Sequence, residues 1–182
     1  MADPTDELPK RLAADLDGIF PQVVELMGRR LYWGLRRMSG DHHTAEDLTQ
    51  EALIRAYHAL CGYDRDRIRE LRLEPWLWTI ALNLGRNHLR DRSRRPTLVE
   101  LDEPRGGVED PEMVDGAAWD RRLSALSGPQ RTAVVLRHVV GLGIEEISEI
   151  TGRPVGTVKT DIHRGLNRLR TIMEAEEHVA RG

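Results

Sequence analysis

Thr157, Thr160, Arg164, Asn167 and Arg168 fall on one side of a helical wheel drawn over residues 155–170, at about 100° per residue. Together with Lys159 they offer hydroxyls and cations for phosphates, and guanidinium groups for guanine edges. Opposite them Val155, Val158, Ile162, Leu166 and Leu169 cluster in a narrow apolar arc. Ahead of this helix, Ile144, Ile147 and Ile150 mark a shorter one, and Gly152, Arg153 and Pro154 separate the two. A short helix, a glycine turn and a second helix form the helix-turn-helix pattern, whose second helix enters the major groove with its first residues toward base edges. The competing reading is a helical hairpin with a merely wetted polar side, which is common in all-α proteins.

A second group with binding chemistry lies upstream. Thr79, Asn83, Arg86 and Arg90 share the face of a helix away from its apolar stripe, and Trp76 and Trp78 stand at its start. The loop before it holds Tyr63, Arg65, Arg67 and Arg69. Cations beside flat aromatic surfaces suit single-stranded DNA, whose bases stack and whose backbone needs neutralising. The alternative is a solvated basic helix end. Trp76 and Trp78 individually are read as core residues. Glu46, Asp47, Gln50 and Glu51 form a third group, an acidic and amide patch suited to a basic protein surface, although Glu46 and Asp47 also favour the start of a helix.

The elements that must carry these groups are helices. Leu16, Ile19, Phe20, Val23, Met27, Leu31, Leu35 and Met38 recur at three- and four-residue steps, predicting one long amphipathic helix that stops near Ser39-Gly40. Thr44 is the expected N-cap of the next helix, which runs through Leu48, Ala52, Leu53, Ala56 and Leu60 to Gly62. A polar loop over 63–74 leads to a third helix with Pro75 as its first residue and Leu77, Ile80, Ala81 and Leu84 as its buried side. Residues 96–116, with three Pro, three Gly and no period, read as a flexible linker. Beyond it Trp119, Leu123 and Leu126 mark a short helix, and Ser127-Gly128-Pro129-Gln130 has the capping-box form that opens another. The tail after Met173 is expected to fray. No alternating β-branched and aromatic runs predict strands.

The net charge of −3 averages over blocks of opposite sign. Residues 86–95 hold five Arg against one Asp, whereas residues 100–120 hold eight acidic residues against one Arg, and such blocks steer partners. Cys61 is the only cysteine, which excludes an intramolecular disulfide and a Cys-based zinc site; it reads as a buried small residue at a helix end rather than a redox sensor. No apolar run approaches the roughly 20 residues of a membrane span, and the acidic start MADPTDELPKR has no apolar segment of signal-peptide type. A cytoplasmic location is expected. Seven His and many carboxylates raise the possibility of an enzyme, but no HExxH, P-loop or nucleophile motif occurs. Asp41, His42 and His43 are weighed as metal ligands and set aside, because the His pair sits in a turn. Neither an enzymatic activity nor a cofactor is expected.

Three segments, AEDLTQEALIRAYHAL (45–60), PWLWTIALNLGRNHLRDRSRR (75–95) and LSGPQRTAVVLRHVVGLGIEEISEITGRPVGTVKTDIHRGLNRLR (126–170), resemble the extracytoplasmic-function subfamily of bacterial sigma factors, within the sigma-70 family. The resemblance implies an all-α fold of two small domains: sigma-2 over about 10–95 and a sigma-4 helix-turn-helix domain over 117–173, joined by the acidic linker at 96–116. It implies that Glu46, Asp47, Gln50 and Glu51 bind the clamp coiled coil of the RNA polymerase β′ subunit. Tyr63, Arg65, Thr79, Asn83, Arg86 and Arg90 would capture the opened −10 strand. Arg153, Thr157, Lys159, Thr160, His163, Arg164 and Arg168 would read the −35 duplex, with sigma-4 seated on the β flap. Promoter DNA, core polymerase and an anti-sigma factor are the implied partners. Two positions depart from the pattern: Leu82 stands where many relatives carry Arg, and Asp161 where many carry Arg or another uncharged or basic residue. The lobes are expected to move about the linker until a partner fixes them. A free-standing helix-turn-helix regulator would leave the acidic helix and the Trp/Arg helix without a role.

Overall fold

The computed structural model describes residues 7–94 and 116–181, without the side chains of 89–94 and 180. The predicted linker, apart from Gly116, lies outside the described residues, as does the Arg90 side chain. Among the described residues every regular element is helical, and no helix is long and apolar enough to cross a membrane.

The first lobe contains α1 (Leu8–Ala14), α2 (Leu16–Ser39), α3 (His42–Cys61), α4 (Arg65–Arg69) and α5 (Leu73–Arg94). The long period seen in the sequence becomes α2, which buries Val23, Met27, Leu31 and Leu35. Gly40, at φ 75°, ends it in the left-handed region that a glycine adopts without strain. The next helix starts three residues earlier than expected. Asp41, not Thr44, is its N-cap: the carboxylate accepts the Thr44 N–H at 2.6 Å, and a carboxylate at that end also meets the positive pole of the helix. Helix α3 then presents Ala45, Ala52 and Ala56 to the core, small residues that let it lie close against α2.

Further expectations are corrected. Cys61, read as buried, is exposed at the end of α3. The polar loop over 63–74 contains α4, started by Asp64, whose side chain accepts the Arg67 N–H, and anchored by buried Ile68. Helix α5 begins at Leu73, so Pro75 is its third residue rather than its first; none of the first four N–H groups of a helix has a partner inside it, so Pro costs nothing there. Leu77, Trp78 and Ala81 are fully buried on α5, while Ile80 is only half-buried.

The second lobe contains α6 (Gly116–Ser124), α7 (Gly128–Val135), a π-helical turn over Leu136–Val140, α8 (Ile144–Thr151) and α9 (Val155–Ala180). Gln130 Oε1 accepts the Ser127 N–H at 3.3 Å, as the capping-box sequence predicts. The expected fraying after Met173 is not seen: α9 continues to Ala180, and the Glu176 carboxylate meets Arg122 of α6 at 2.6 Å.

The lobes pack against each other. Arg37, 4% exposed, donates to the Gly116 carbonyl at 2.8 Å and to Asp120 at 2.6 Å, and Arg36 reaches the other Asp120 oxygen at 2.9 Å. Arg30 donates to the Val140 carbonyl at 2.6 Å. Gly34 lies so close to Trp78 and Val140 that a side chain there would strike both.

Candidate nucleic-acid and polymerase interfaces

On α9 the buried stripe consists of Val158, Ile162, Gly165 and Leu169. Gly165 takes the inward position expected of Leu166, which is 37% exposed. A Cβ at 165 would stand 2.7 Å from Val134 Cγ2, so α7 approaches α9 through the missing side chain. Gly152, at φ 67°, ends α8 and sets the direction of the turn. Ser148 closes it by donating to the Arg153 carbonyl at 2.6 Å.

This anchoring leaves an outward arc. Lys159, Thr160, His163, Arg164, Asn167 and Arg168 are exposed, and Thr157 is half-exposed. Lys159, Arg164 and Arg168 hold no ion pair among the described residues, a combination that suits phosphates and base edges. Arg153 is the exception within the predicted set. Its guanidinium is held 2.7 Å from Asp161, on the side of the lobe that faces the first lobe. Asp161 is 14% exposed there, so it lies on the flank of the helix and not among the outward cations.

The α5 group assembles around a cleft of about 290 Å³ lined by Tyr63, Trp76, Ile80, Asn83, Leu84 and Asn87, among others. Tyr63 and Trp76 bring their rings to 6.1 Å, and the Arg67 guanidinium lies 3.6 Å over the Tyr63 ring. Flat surfaces beside amides are what an unpaired base needs for stacking and edge recognition. Trp76 is therefore half-buried at the cleft, whereas Trp78 is a core residue, 1% exposed. Arg65 is exposed at the start of α4. Thr79 is half-buried, its hydroxyl donating to the Pro75 carbonyl at 2.9 Å. Arg86 meets Asn83 Oδ1 at 3.4 Å and donates to the Thr151 carbonyl of α8 at 2.9 Å. Asn87 was not singled out by the sequence reading, although it lies one turn beyond Asn83 on the same face.

On α3, Glu46, Asp47 and Gln50 are exposed and Glu51 is half-exposed. Asp47, Gln50 and Glu51 border an open cleft with Ile54, Leu84 and His88. Ile54 is 53% exposed, so the acidic patch has an apolar neighbour, the mixture found at protein interfaces. Glu51 pairs with Arg55 at 2.6 Å, while Asp47 holds no pair among the described residues. Glu46, His42 and His43 each bring one possible ligand atom within 4.8 Å of the others. His42 and His43 open α3 and do not lie in the turn expected of them; Asp41 is engaged in capping, His42 Nδ1 is 2.7 Å from the Tyr32 hydroxyl, and the positive end of α3 disfavours a cation there.

Known proteins match on both lobes. The family model for Sigma-70 region 2 matches residues 23–95, and that for Sigma-70, region 4 matches residues 117–169. The ECF RNA polymerase sigma factor SigW of Bacillus subtilis (strain 168) is 33% identical over 169 residues, covering 83% of this chain and 87% of that protein. The ECF RNA polymerase sigma factor SigE of Mycolicibacterium smegmatis is 34% identical over 182 residues, covering 92% and 69%. Among solved structures, the sigma factor RpoE in complex with the anti-sigma factor NepR, from Bartonella quintana, superposes with a TM-score of 0.74. It shares 26% identity and covers 85% of this chain and 96% of its own. CnrH in complex with the cytosolic domain of CnrY gives a TM-score of 0.68 at 26% identity, over 95% and 99%. With both regions matched in order and relatives above 30% identity along most of their length, the chain belongs to the ECF group of the sigma-70 family, the transcription initiation factors that direct RNA polymerase to promoters.

Proposed function

We propose that the first lobe, residues 10–95, is the sigma-2 domain and reads an opened −10 strand through Tyr63, Arg65, Thr79, Asn83, Arg86 and Arg90. Arg67, Trp76 and Asn87 complete the cleft in which a base stacks. Residues 117–173 form the sigma-4 domain, whose outward arc of Thr157, Lys159, Thr160, His163, Arg164 and Arg168 reads the −35 duplex from the major groove. Arg153 contributes from the turn. Glu46, Asp47, Gln50 and Glu51 dock on a basic surface of core polymerase, the β′ clamp coiled coil, while sigma-4 sits on the β flap. The protein works without enzymatic activity or cofactor, in the cytoplasm where polymerase is found.

The observation that carries this reading is the pairing of two unlike surfaces in one chain. An aromatic and amide cleft suits unpaired bases, and a cationic helix face suits a duplex. Tethering both to one polymerase raises the effective concentration of each at a promoter holding both elements at the right spacing. One of the similar solved structures is of the sigma factor RpoE bound to the anti-sigma factor NepR, which supports regulation of this chain by a protein of that kind. Pull-down with purified core polymerase is the test. Retention of the wild-type chain and loss with Asp47→Arg supports the assignment of α3; equal retention of both overturns it.

A further inference from the structure

We propose that Gly156 is the point of closest approach between α9 and DNA: it carries no side chain, so the first turn of the helix sits deeper in the major groove than any other residue would allow. The inference rests on the assignment of α9 to the −35 duplex. Gly156 is the second residue of α9 and is exposed. Glycine inside a helix lowers stability relative to alanine, because more backbone freedom is lost on folding. Two internal reasons can keep one there: a left-handed backbone, or a neighbour too close for a Cβ. Neither holds at 156. Among the described residues the glycines with positive φ are Gly40, Gly141 and Gly152, and a Cβ at 156 would meet nothing within 4 Å. Gly165 shows the contrast, since a Cβ there would stand 2.7 Å from Val134 Cγ2. Gly128 is open as well, but it precedes Pro129, whose ring crowds a Cβ on a helical residue before it. What needs the space at 156 therefore lies outside the chain.

Its place on the helix says what comes near. With Val155 at zero and about 100° per residue, the buried Val158, Ile162, Gly165 and Leu169 fall between about 280° and 340°. The opposite direction is about 130°, and Gly156, Thr160, His163 and Asn167, all exposed, lie within about 50° of it. None of these four is Lys or Arg. Lys159 and Arg170 stand on one side of this line, and Arg164 and Arg168 on the other. A duplex groove has the matching pattern, with base edges in the middle and a phosphate backbone along each wall. Gly156 heads the line that points at the bases, at the end of the helix that reaches them first.

The dimensions make one carbon matter. A helix with its side chains is about 10–12 Å across, and the major groove is about 12 Å wide. A methyl group at the leading turn would hold the helix away from the bases by about 1.5 Å, the length of one carbon–carbon bond. Hydrogen bonds from Thr157, Lys159 or Thr160 to base edges, which need about 2.7–3.2 Å, would then be stretched out of range. The Thr160 hydroxyl donates to the Gly156 carbonyl at 2.8 Å. That bond fixes the Thr160 side chain beside the open position and leaves its oxygen free to accept from a base amino group.

The test compares the full-length chain with Gly156→Ala and Gly156→Leu. Melting temperature is read on the free protein, and promoter affinity on holoenzyme assembled with purified core polymerase. The probe is a fluorescent duplex carrying a promoter that the wild-type holoenzyme selects from genomic fragments. The expected result for Gly156→Ala is a melting temperature equal to or above that of wild type, unchanged retention on core polymerase, and promoter binding weaker by about tenfold, the scale of one lost base contact. Gly156→Leu, also a good helix former, should bind more weakly still without loss of stability. Unchanged promoter affinity in both variants overturns the proposal. A lower melting temperature accompanying the loss overturns it too, because the glycine then serves the fold. A failure of the −35 assignment itself reads differently: Lys159→Ala and Arg164→Ala would also leave promoter affinity unaltered.

Discussion

Arg153 and Asp161 are held 2.7 Å apart across the turn that joins the two helices of the helix-turn-helix unit. Asp161 therefore serves the geometry of the turn. It does not sit among the outward cations, where it would repel phosphate or accept from a cytosine amino group. The same pair draws Arg153 toward the first lobe, which sets it apart from Lys159, Arg164 and Arg168.

Asp161→Ala is expected to weaken the second lobe by about 1 kcal/mol, the upper end for exposed pairs, because Asp161 is largely covered. The preference among duplexes differing at single −35 positions should stay the same. Urea unfolding and duplex binding measure the two effects. A changed base preference would contradict the structural role.

Gly165→Ala should destabilise the second lobe in spite of the better helix propensity of alanine. The gain from propensity is about 1 kcal/mol, but the added methyl carbon would stand 2.7 Å from Val134 Cγ2, and overpacking of this kind costs about 1–3 kcal/mol. Calorimetry should show a lower melting temperature, and Gly165→Leu should lower it further.

Asp41→Ala removes the cap of α3 and should cost about 1 kcal/mol. Burial pushes the Asp41 carboxyl up, but the hydrogen bonds from Thr44 and the charges of His43 and Arg36 outweigh it, leaving it below its ordinary value of 3.8. A carboxyl depressed in the folded state contributes its full stability above the unfolded value and loses it as pH falls through the folded one. The difference between wild type and Asp41→Asn should thus be constant at neutral pH and shrink below about pH 3.8.

Asp120→Ala should leave the Arg37 guanidinium, 4% exposed, without its carboxylate partner. Losing a carboxylate beside a covered guanidinium is destabilising, although the bond to the Gly116 carbonyl stays, and separating the lobes relieves the cost by returning Arg37 to water. Small-angle scattering should therefore show a larger radius of gyration for Asp120→Ala than for wild type, with helix content by circular dichroism nearly unchanged.

Helices were readable in the sequence wherever a single face was buried in a regular period. Leu16 to Met38 specified α2, and Gly40 and Gly152 specified where α2 and α8 stop. Legibility fell where two local signals competed. Thr44 and Asp41 are both capping residues, and only the backbone position decides between them. Helix α4 is five residues long, too short to show a period. The π-helical turn at Leu136–Val140 has no sequence signature that separates it from a continuing α-helix.

The candidate surfaces were legible as faces but not as relationships. The α9 arc emerged from wheel positions alone. The packing of α8 against α5 did not, because the contacts of Arg72 and Arg86 with α8 span 65 to 77 residues and no local pattern encodes them. The placement of Leu82 and Asp161 beside one cleft between the lobes follows from that packing, and no local pattern reveals it.

Transcription in vitro tests the central claim most directly: purified core polymerase is given a pool of genomic DNA fragments, with and without this protein. The predicted result is a set of discrete new start sites that share two upstream elements at fixed spacing and disappear with Asp47→Arg. No new starts, together with no retention on core polymerase, would contradict it and leave a DNA-binding protein that acts without polymerase.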